Sequence, residues 1–511
     1  MLVQDALEQH ARSMPFKTAL VCDGVRLGYA DINASANRIA NALLSAGVGR
    51  GGRVVTLLPN CAEAVACIYG TLKAGAVFVT VNRTTKPAKL LHILKDCGAS
   101  ALVASAAALT PEFLLQLAAA LPSLKLVASA GTGAPPCNPS LPCTSFEEIQ
   151  DSFPDSTPPQ RAIDLDLACL VYTSGSTGDP KGVMSTHDNV LFVANSIMSV
   201  FEAAASDVVI GLLPLSFDYG LYQLIMTFQS GGTLVLENSF AYPAMILNRI
   251  EQERVTALPG VPTIFAMLLG MDLSPFDLSS LRYITNTAGA LPPHHVTAIR
   301  ERIPHARFFS MYGVTETKRT LILPSEQADI RPGSVGVAIP GTEVWIEDPS
   351  GRRLGPGETG ELVARGRHVM RGYWNSPELT AARFRPGPVP GERLFYSGDL
   401  FRMDQEGFFY FVTRTDDVIK SRGEKVVPSE VETVLYDLAG IDEVAVVGVP
   451  DPILGQAIKA FLVTSDSSIT ATQVIAHCRA RLEDFMVPQH VEFMAALPQT
   501  ASGKISRRDL N

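Results

Sequence analysis

From Arg53 to Ser105 the chain alternates apolar runs of strand length with helical patterns. "RVVTLLP" reads as a strand. "NCAEAVACIYGTLKAGA" follows as a helix, with Asn60 placed to cap its start and Gly75 to stop it. "VFVTVN", a helical run from Pro87 to Asp96, and "SALVAS" continue the alternation. This order predicts parallel βαβ units, because a parallel neighbour can only be reached through a long crossover. The pattern returns from Asp207 to Leu236 and from Val255 to Tyr283.

At 511 residues, 47% hydrophobic and 18% charged, the chain can fill several cores and is not a disordered polymer. Between Gly131 and Pro159 it is rich in Pro, Ser, Thr and Gly, which predicts a long surface loop. After about Leu400 a new strand–helix pattern begins, long enough for a separate small domain with a helix near Thr472–Phe485. The net charge is −9 and no basic run occurs, which excludes an ordinary nucleic-acid binder. The longest apolar stretch, "VVIGLLPLSFDYGLYQLIMTF", is broken by Pro214 and Asp218, so it reads as a buried segment and not an integral membrane span. The N-terminus lacks a secretory pattern. The eight cysteines form no CxxC pair and have no histidine cluster beside them, so reduced, mostly buried thiols in a cytoplasmic protein are expected.

The run "LACLVY" reads as a buried strand and opens into "TSGSTGDPKG". Glycines let backbone N–H groups approach an anion, the hydroxyl residues add donors, and Lys181 adds charge, so phosphate is the natural guest. A Walker A loop needs Gly-Lys followed by Ser or Thr at the start of a helix. Here Lys181 follows Pro180 and precedes Gly182, and no G-x-G-x-x-G pattern fits either.

Seven segments in order resemble the adenylate-forming superfamily of acyl-CoA synthetases, aryl-CoA ligases, luciferases and adenylation domains. They are "YTSGSTGDPKG", "TAGALPP" (Thr287–Pro293), "MYGVTET" (Met311–Thr317), "GELVARGRHVMRGYWN" (Gly360–Asn375), "YSGDL" (Tyr396–Leu400), "TRTDDVIKSRGEKVVPSEVE" (Thr413–Glu432) and "PQTASGKISRRDL" (Pro498–Leu510). The resemblance implies an α/β fold. A large N-terminal domain, residues 1–415, would carry doubly wound sheets plus a distorted β-barrel; residues 416–511 would form a small mobile α+β domain hinged at Asp416.

It also implies two-step chemistry. A carboxylate attacks the α-phosphate of ATP and expels pyrophosphate; a thiol then attacks the acyl-AMP and expels AMP. Such chemistry rests on positioning and charge stabilisation, not on a nucleophilic side chain. Thr173, Ser174, Gly175, Ser176, Thr177, Gly178 and Lys181 are expected to grip the β- and γ-phosphates. Tyr312 would stack on adenine beside Gly289 and Ala290, Thr315 would reach the α-phosphate, and Glu316 would bind Mg²⁺. Asp399 would accept from the ribose hydroxyls with Arg414 beside it, although Thr413 stands where the family has glycine. Lys504 would reach the reacting oxygens during adenylation, and Gly423 would line a tunnel for the pantetheine arm.

The acid pocket is expected around "PLSFDYGLYQ", "NTAGA" and "MYGVTETKRT", with Phe217, Asp218, Gly220, Thr287 and Gly313 on its wall and Gly220 leaving room for bulk. Asp218 lies where amino-acid-activating relatives hold an amino group. Lys318 and Arg319 either meet a second carboxylate or polar head on the acid, or pair structurally. With no carrier segment after Leu510, the expected acceptor is coenzyme A; the alternative is the phosphopantetheine of a separate carrier protein. The enzyme is expected to work as a monomer or homodimer.

Overall fold

The computed structural model describes residues 1–131, 140–174, 180–238, 240–421, 424–451, 454–500 and 505–510. One sheet runs in the order Cys143–Ser145, Leu126–Ala130, Ala101–Ser105, Arg53–Leu57, Val77–Thr80, Leu167–Ser174, Pro180–Thr186. All its pairs are parallel except the last, so the expected βαβ units are present. The strand before the glycine loop therefore returns as a hairpin and opens no helix, in keeping with a loop that is not Walker A.

A second parallel sheet runs Arg307–Tyr312, Tyr283–Asn286, Ala257–Gly260, Val208–Gly211, Thr233–Leu236, Thr18–Cys22, with Val25–Gly28 antiparallel at its edge. Strand order reverses at Val208–Gly211, which has its successor Thr233–Leu236 on one side and Ala257–Gly260 on the other. Ligands of open α/β sheets bind outside the C-terminal strand ends at such a reversal. Beyond Tyr312 the ribbon turns antiparallel through Leu321–Ile322, Ser334–Ala338, Phe409–Arg414, Arg393–Met403, Thr359–Arg365 and Glu343–Glu347. These strands share a core of Leu321, Ile346, Leu362, Phe401 and Phe409 and form an antiparallel ribbon continuous with the parallel sheet.

Two helices lie between the parallel sheets. Ala62–Lys73 and Asp218–Ser230 are buried almost all round. A helix apolar on every side is stable only when covered on every side. Tyr69 of one stacks on Phe228 of the other at 5.4 Å, and their side chains join strands of both sheets in one core. The long apolar stretch is thus a strand and a helix inside the molecule. Among the described residues no helix is long and apolar enough to cross a membrane.

Three local expectations change. Asn60 does not cap the helix after it, which starts from Cys61. Its amide instead donates to the carbonyls of Leu213 at 3.1 Å and Glu237 at 2.8 Å, and its oxygen accepts from Leu215 N–H at 3.0 Å. It ties one layer to the strand exits of the other. Asn60→Ala leaves three backbone groups unpartnered, for an expected loss of roughly 2–4 kcal/mol; an unchanged midpoint in urea unfolding would refute this. Secondly, the segment after Gly131 is not all loop. It contains the strand Cys143–Ser145 and the helix Phe146–Ser152, started by a Ser145–Glu148 capping box. Thirdly, the helix expected over Thr472–Phe485 spans Ala471–Arg479. The seven described cysteines are free thiols, five of them buried; Cys137 lies outside the described residues.

The large ribbon's strand Phe409–Arg414 ends at a single helical turn, Thr415–Asp417, on which Asp416 is exposed. Ile419–Ser421 then opens a separate five-stranded sheet with Glu424–Val426, Ile441–Asp451, Gly455–Thr464 and His490–Phe493. Helices Pro428–Tyr436 and Ala471–Arg479 cover it through Val431, Leu435, Val474 and Cys478.

Candidate active site

The C-terminal ends of the parallel strands converge at the reversal point. The helix Asp218–Ser230 starts there, and Tyr219 donates from its hydroxyl to the Thr285 carbonyl at 2.9 Å, fixing the helix start to the neighbouring strand. A Cβ on Gly220 would stand 2.4 Å from the Pro214 carbonyl oxygen and 2.5 Å from that of Leu213. Glycine there lets the helix lie against the preceding turn. It serves packing, and does not leave room for a bulky acid. Thr287 is buried with its hydroxyl unpartnered, and Ala288 takes a left-handed backbone (φ 74°), turning Gly289 and Ala290 to the exposed side. Phe217 packs edge-on to Tyr219.

Tyr312 ends the strand Arg307–Tyr312 and donates to Asp399 Oδ2 at 2.6 Å. Asp399 pairs across the strands with Arg414 and Leu400 with Thr413, and the register shifts directly beyond, between Leu400 and Phe401, so the local backbone is irregular beside the threonine while the Asp399–Arg414 pairing is present. The Arg414 guanidinium lies 3.3 Å from Asp399 Oδ1 but off the hydrogen-bond direction, which leaves Oδ1 a buried acceptor without a donor. An ionised carboxylate with one open oxygen beside a cation suits a diol.

Burial holds the Asp399 carboxyl above its ordinary range, opposed by the Tyr312 hydroxyl and then by Arg414. The folded chain therefore binds this proton more tightly than the unfolded chain. The associated stability is fully present below the ordinary value of 3.8 and is lost as pH rises through the folded value. Ionised Asp399 costs stability at neutral pH, as functional groups often do. Asp399→Asn is expected to keep or raise Tm, to raise KM for ATP about 10- to 100-fold, and to remove an acid limb from kcat/KM for ATP. A pH profile unchanged by the substitution counts against this.

Glu316 lies four residues beyond Tyr312. Its Oε1 accepts from the Tyr373 hydroxyl at 2.6 Å, and Lys181 stands over the Tyr373 ring at 6.0 Å. Burial first, and then Glu316, raise the Tyr373 hydroxyl, which stays a donor. Among the described residues no group of three or more His, Cys, Asp or Glu could cage a metal. A lone carboxylate fits Mg²⁺, which takes one or two protein carboxylates and completes its shell with phosphates and water.

The loop after Tyr312 is tightly wound. Lys318 N–H donates to the Val314 carbonyl at 2.6 Å and Thr320 N–H to the Tyr312 carbonyl at 2.9 Å. Lys318 sits in the left-handed region (φ 60°), a conformation that costs a lysine about 1–3 kcal/mol. Thr315 and Glu316 ride on this loop.

Lys504, Gly423 and the loop residues Gly175, Ser176, Thr177 and Gly178 lie outside the described residues, as does the side chain of Ser174. Thr173 and Lys181 are register partners at the base of that loop. The segment after Lys504 is anchored. Ile505 bridges Gln499, Arg507 grips both oxygens of Glu432 at 2.6 and 2.9 Å, and Leu510 is buried. Arg507 also reaches Asp417 at 3.3 Å, next to Asp416. Sequence reasoning gave no role to Tyr373, although "GYWN" carried the signal. A surface groove lined by Met1, Asp188, Phe192, Pro340 and Arg367 lies apart and includes none of the expected site residues.

Comparison with known proteins identifies the family. Residues 7–374 match the family "AMP-binding enzyme", and residues 430–504 match "AMP-binding enzyme C-terminal domain". The chain is 37% identical to a feruloyl-CoA synthase from an Amycolatopsis species, over 98% of this chain and 97% of that one. It is 33% identical to a long-chain-fatty-acid–CoA ligase of Bacillus subtilis, over 99% and 94%. The crystal structure of the anthranilate CoA ligase AuaEII with anthranoyl-AMP superposes with a TM-score of 0.89 at 28% identity, covering 100% of this chain and 96% of that one. The chain belongs to the AMP-binding enzymes, as an AMP-forming acid–thiol ligase of the acyl-CoA synthetase type.

Proposed function

We propose that this ligase activates its acid with ATP and passes the acyl group to coenzyme A. The Asp399 carboxylate carries the reading: it is buried, tied to Tyr312 through one oxygen, and without a donor at the other, which a ribose hydroxyl would supply. An oxygen of the acid attacks the α-phosphorus, the bond to the bridging oxygen breaks, and pyrophosphate leaves. The thiol sulfur then attacks the acyl carbon, AMP leaves with the former carboxylate oxygen, and the thiol proton goes to solvent.

Thr173, the loop 174–178 and Lys181 hold the leaving phosphates in the first step only. Tyr312 and Asp399 orient adenosine, and Thr315 meets the α-phosphate. Glu316 would hold Mg²⁺, which would supply neutralising charge on the phosphates. Lys504 serves adenylation; rotation about Asp416 then withdraws it and brings Gly423 to the site for the pantetheine arm. Coenzyme A is favoured as acceptor because the similar enzymes named above are CoA ligases. Their names cover aryl and long-chain acids, so they do not choose the acid.

ATP–pyrophosphate exchange over a panel of acids tests the first step, and mass analysis of thioester formed with coenzyme A tests the second. Exchange without CoA thioester, together with acyl transfer to a phosphopantetheinylated carrier protein, would replace the acceptor. No exchange with any acid would overturn the reading.

A further inference from the structure

Lys318 is fully buried, and its ammonium has no hydrogen-bond partner among the described residues. Its only described interaction of note is with the ring face of Tyr222, 5.9 Å away. Arg319 follows it, 4% exposed, with its guanidinium over the Tyr219 ring at 4.4 Å and one donor on the Lys318 carbonyl at 3.0 Å. Tyr219 and Tyr222 lie on the first turns of the buried helix that starts at Asp218. Lys318, Asp218 and Tyr222 are all buried, so the group sits inside the molecule. The Tyr222 hydroxyl is also buried and unpartnered.

Burying an unpaired ammonium costs several kcal/mol, and the left-handed backbone at Lys318 adds strain. Among the described residues of this group, two buried cations and one buried carboxylate, Asp218, leave a formal excess of one positive charge. Neutral tyrosine faces return only a fraction of the lost hydration, about 2 kcal/mol. One more anion would balance the cluster. The reacting carboxylate of the acid is needed elsewhere, beside Thr315 and Glu316.

We propose that Lys318, with Tyr222 beside it, is a specificity site for a second anionic group at the far end of the acid, so that the preferred substrate is a dicarboxylic acid. This rests on the ligase reading above. Asp218 and Arg319 set the local charge, and Gly313 and the left-handed backbone of Lys318 aim its ammonium inward.

The test is pyrophosphate exchange with the full chain on matched pairs: succinate against butyrate, adipate against hexanoate, terephthalate against 4-methylbenzoate, with ferulate as a hydroxylated monoacid. In the wild type, kcat/KM for the best diacid should exceed that of its monoacid partner by about 10²–10³-fold. In Lys318→Met that ratio should collapse towards one. A wild-type preference for ferulate or any monoacid over every diacid overturns the proposal without recourse to a variant. A Lys318→Met enzyme that loses both members of a pair equally also overturns it, because the lysine would then serve the fold or the reacting carboxylate. Exchange with monoacids alone leaves the ligase reading standing and removes only this site; no exchange with either series removes both.

Discussion

Lys504→Ala is expected to lower ATP–pyrophosphate exchange about 10²–10³-fold, the usual cost of one preorganised donor at a developing charge. Thiol transfer from supplied acyl-AMP should stay near wild type. The asymmetry follows from how the tail is held. Arg507 fastens the segment after Lys504 to Glu432 of the small domain and to Asp417 of the linking turn. Leu510 is packed with Ala445, Val447, Phe461 and Leu497. The tail therefore moves as one body with the five-stranded sheet. A rotation at residues 415–417, the proposed hinge, would carry it towards or away from Asp399 and Glu316. Negative charge grows on the bridging and carboxylate oxygens in the first step, where a cation helps. In the second step the charge develops at the acyl carbonyl and AMP leaves; on the proposed rotation, the tail would by then have turned away. Measuring the two half-reactions separately decides the matter: equal loss in both would mean that one arrangement of the domains serves both steps.

The βαβ architecture was legible because strand and helix lengths, periods and stops are local properties. The all-round burial of Asp218–Ser230 was legible because its apolar run admits no other stable placement. Arg414 pairs with Asp399 although threonine stands at 413, and the register shift lies just beyond, between Leu400 and Phe401. What stayed hidden depended on distant partners. Asn60 looks like a helix cap in sequence, but its partners Leu213 and Glu237 lie 153 and 177 positions away. Tyr373 meets Glu316 across 57 positions. Composition misled between Gly131 and Pro159, where Ser145 and Glu148 spell a helix start inside a loop-like background. The strain at Lys318 was invisible because a left-handed site usually announces itself by glycine, and here the glycine stands five residues earlier, at Gly313.

Gly313→Ala is expected to lower adenylation at least about 10²-fold while far-UV circular dichroism stays that of a folded α/β protein. A Cβ there would stand 1.8 Å from the Lys318 carbonyl oxygen, 2.7 Å from its carbonyl carbon and 2.9 Å from the Arg319 Cα. All three are backbone atoms, so no side-chain rotation relieves the clash. Lys318 is already in the left-handed region, and its N–H is held by Val314 at 2.6 Å. The loop must open, and Thr315 and Glu316 lie within it. A displacement of about 1 Å at groups that position reacting atoms costs on the order of 10² in rate. The flanking strands do not need to move, because Met311 and Ile322 are buried on the core side and paired across the ribbon. The loss should therefore fall mainly on kcat, with KM for ATP less affected, since Asp399 and Arg414 lie on other strands. If the lysine is aimed by this loop, the diacid-to-monoacid ratio should fall in the same variant. A Gly313→Ala enzyme with wild-type kcat and an unchanged ratio would mean that the loop relaxes without cost, and that neither Glu316 nor Lys318 depends on its close winding.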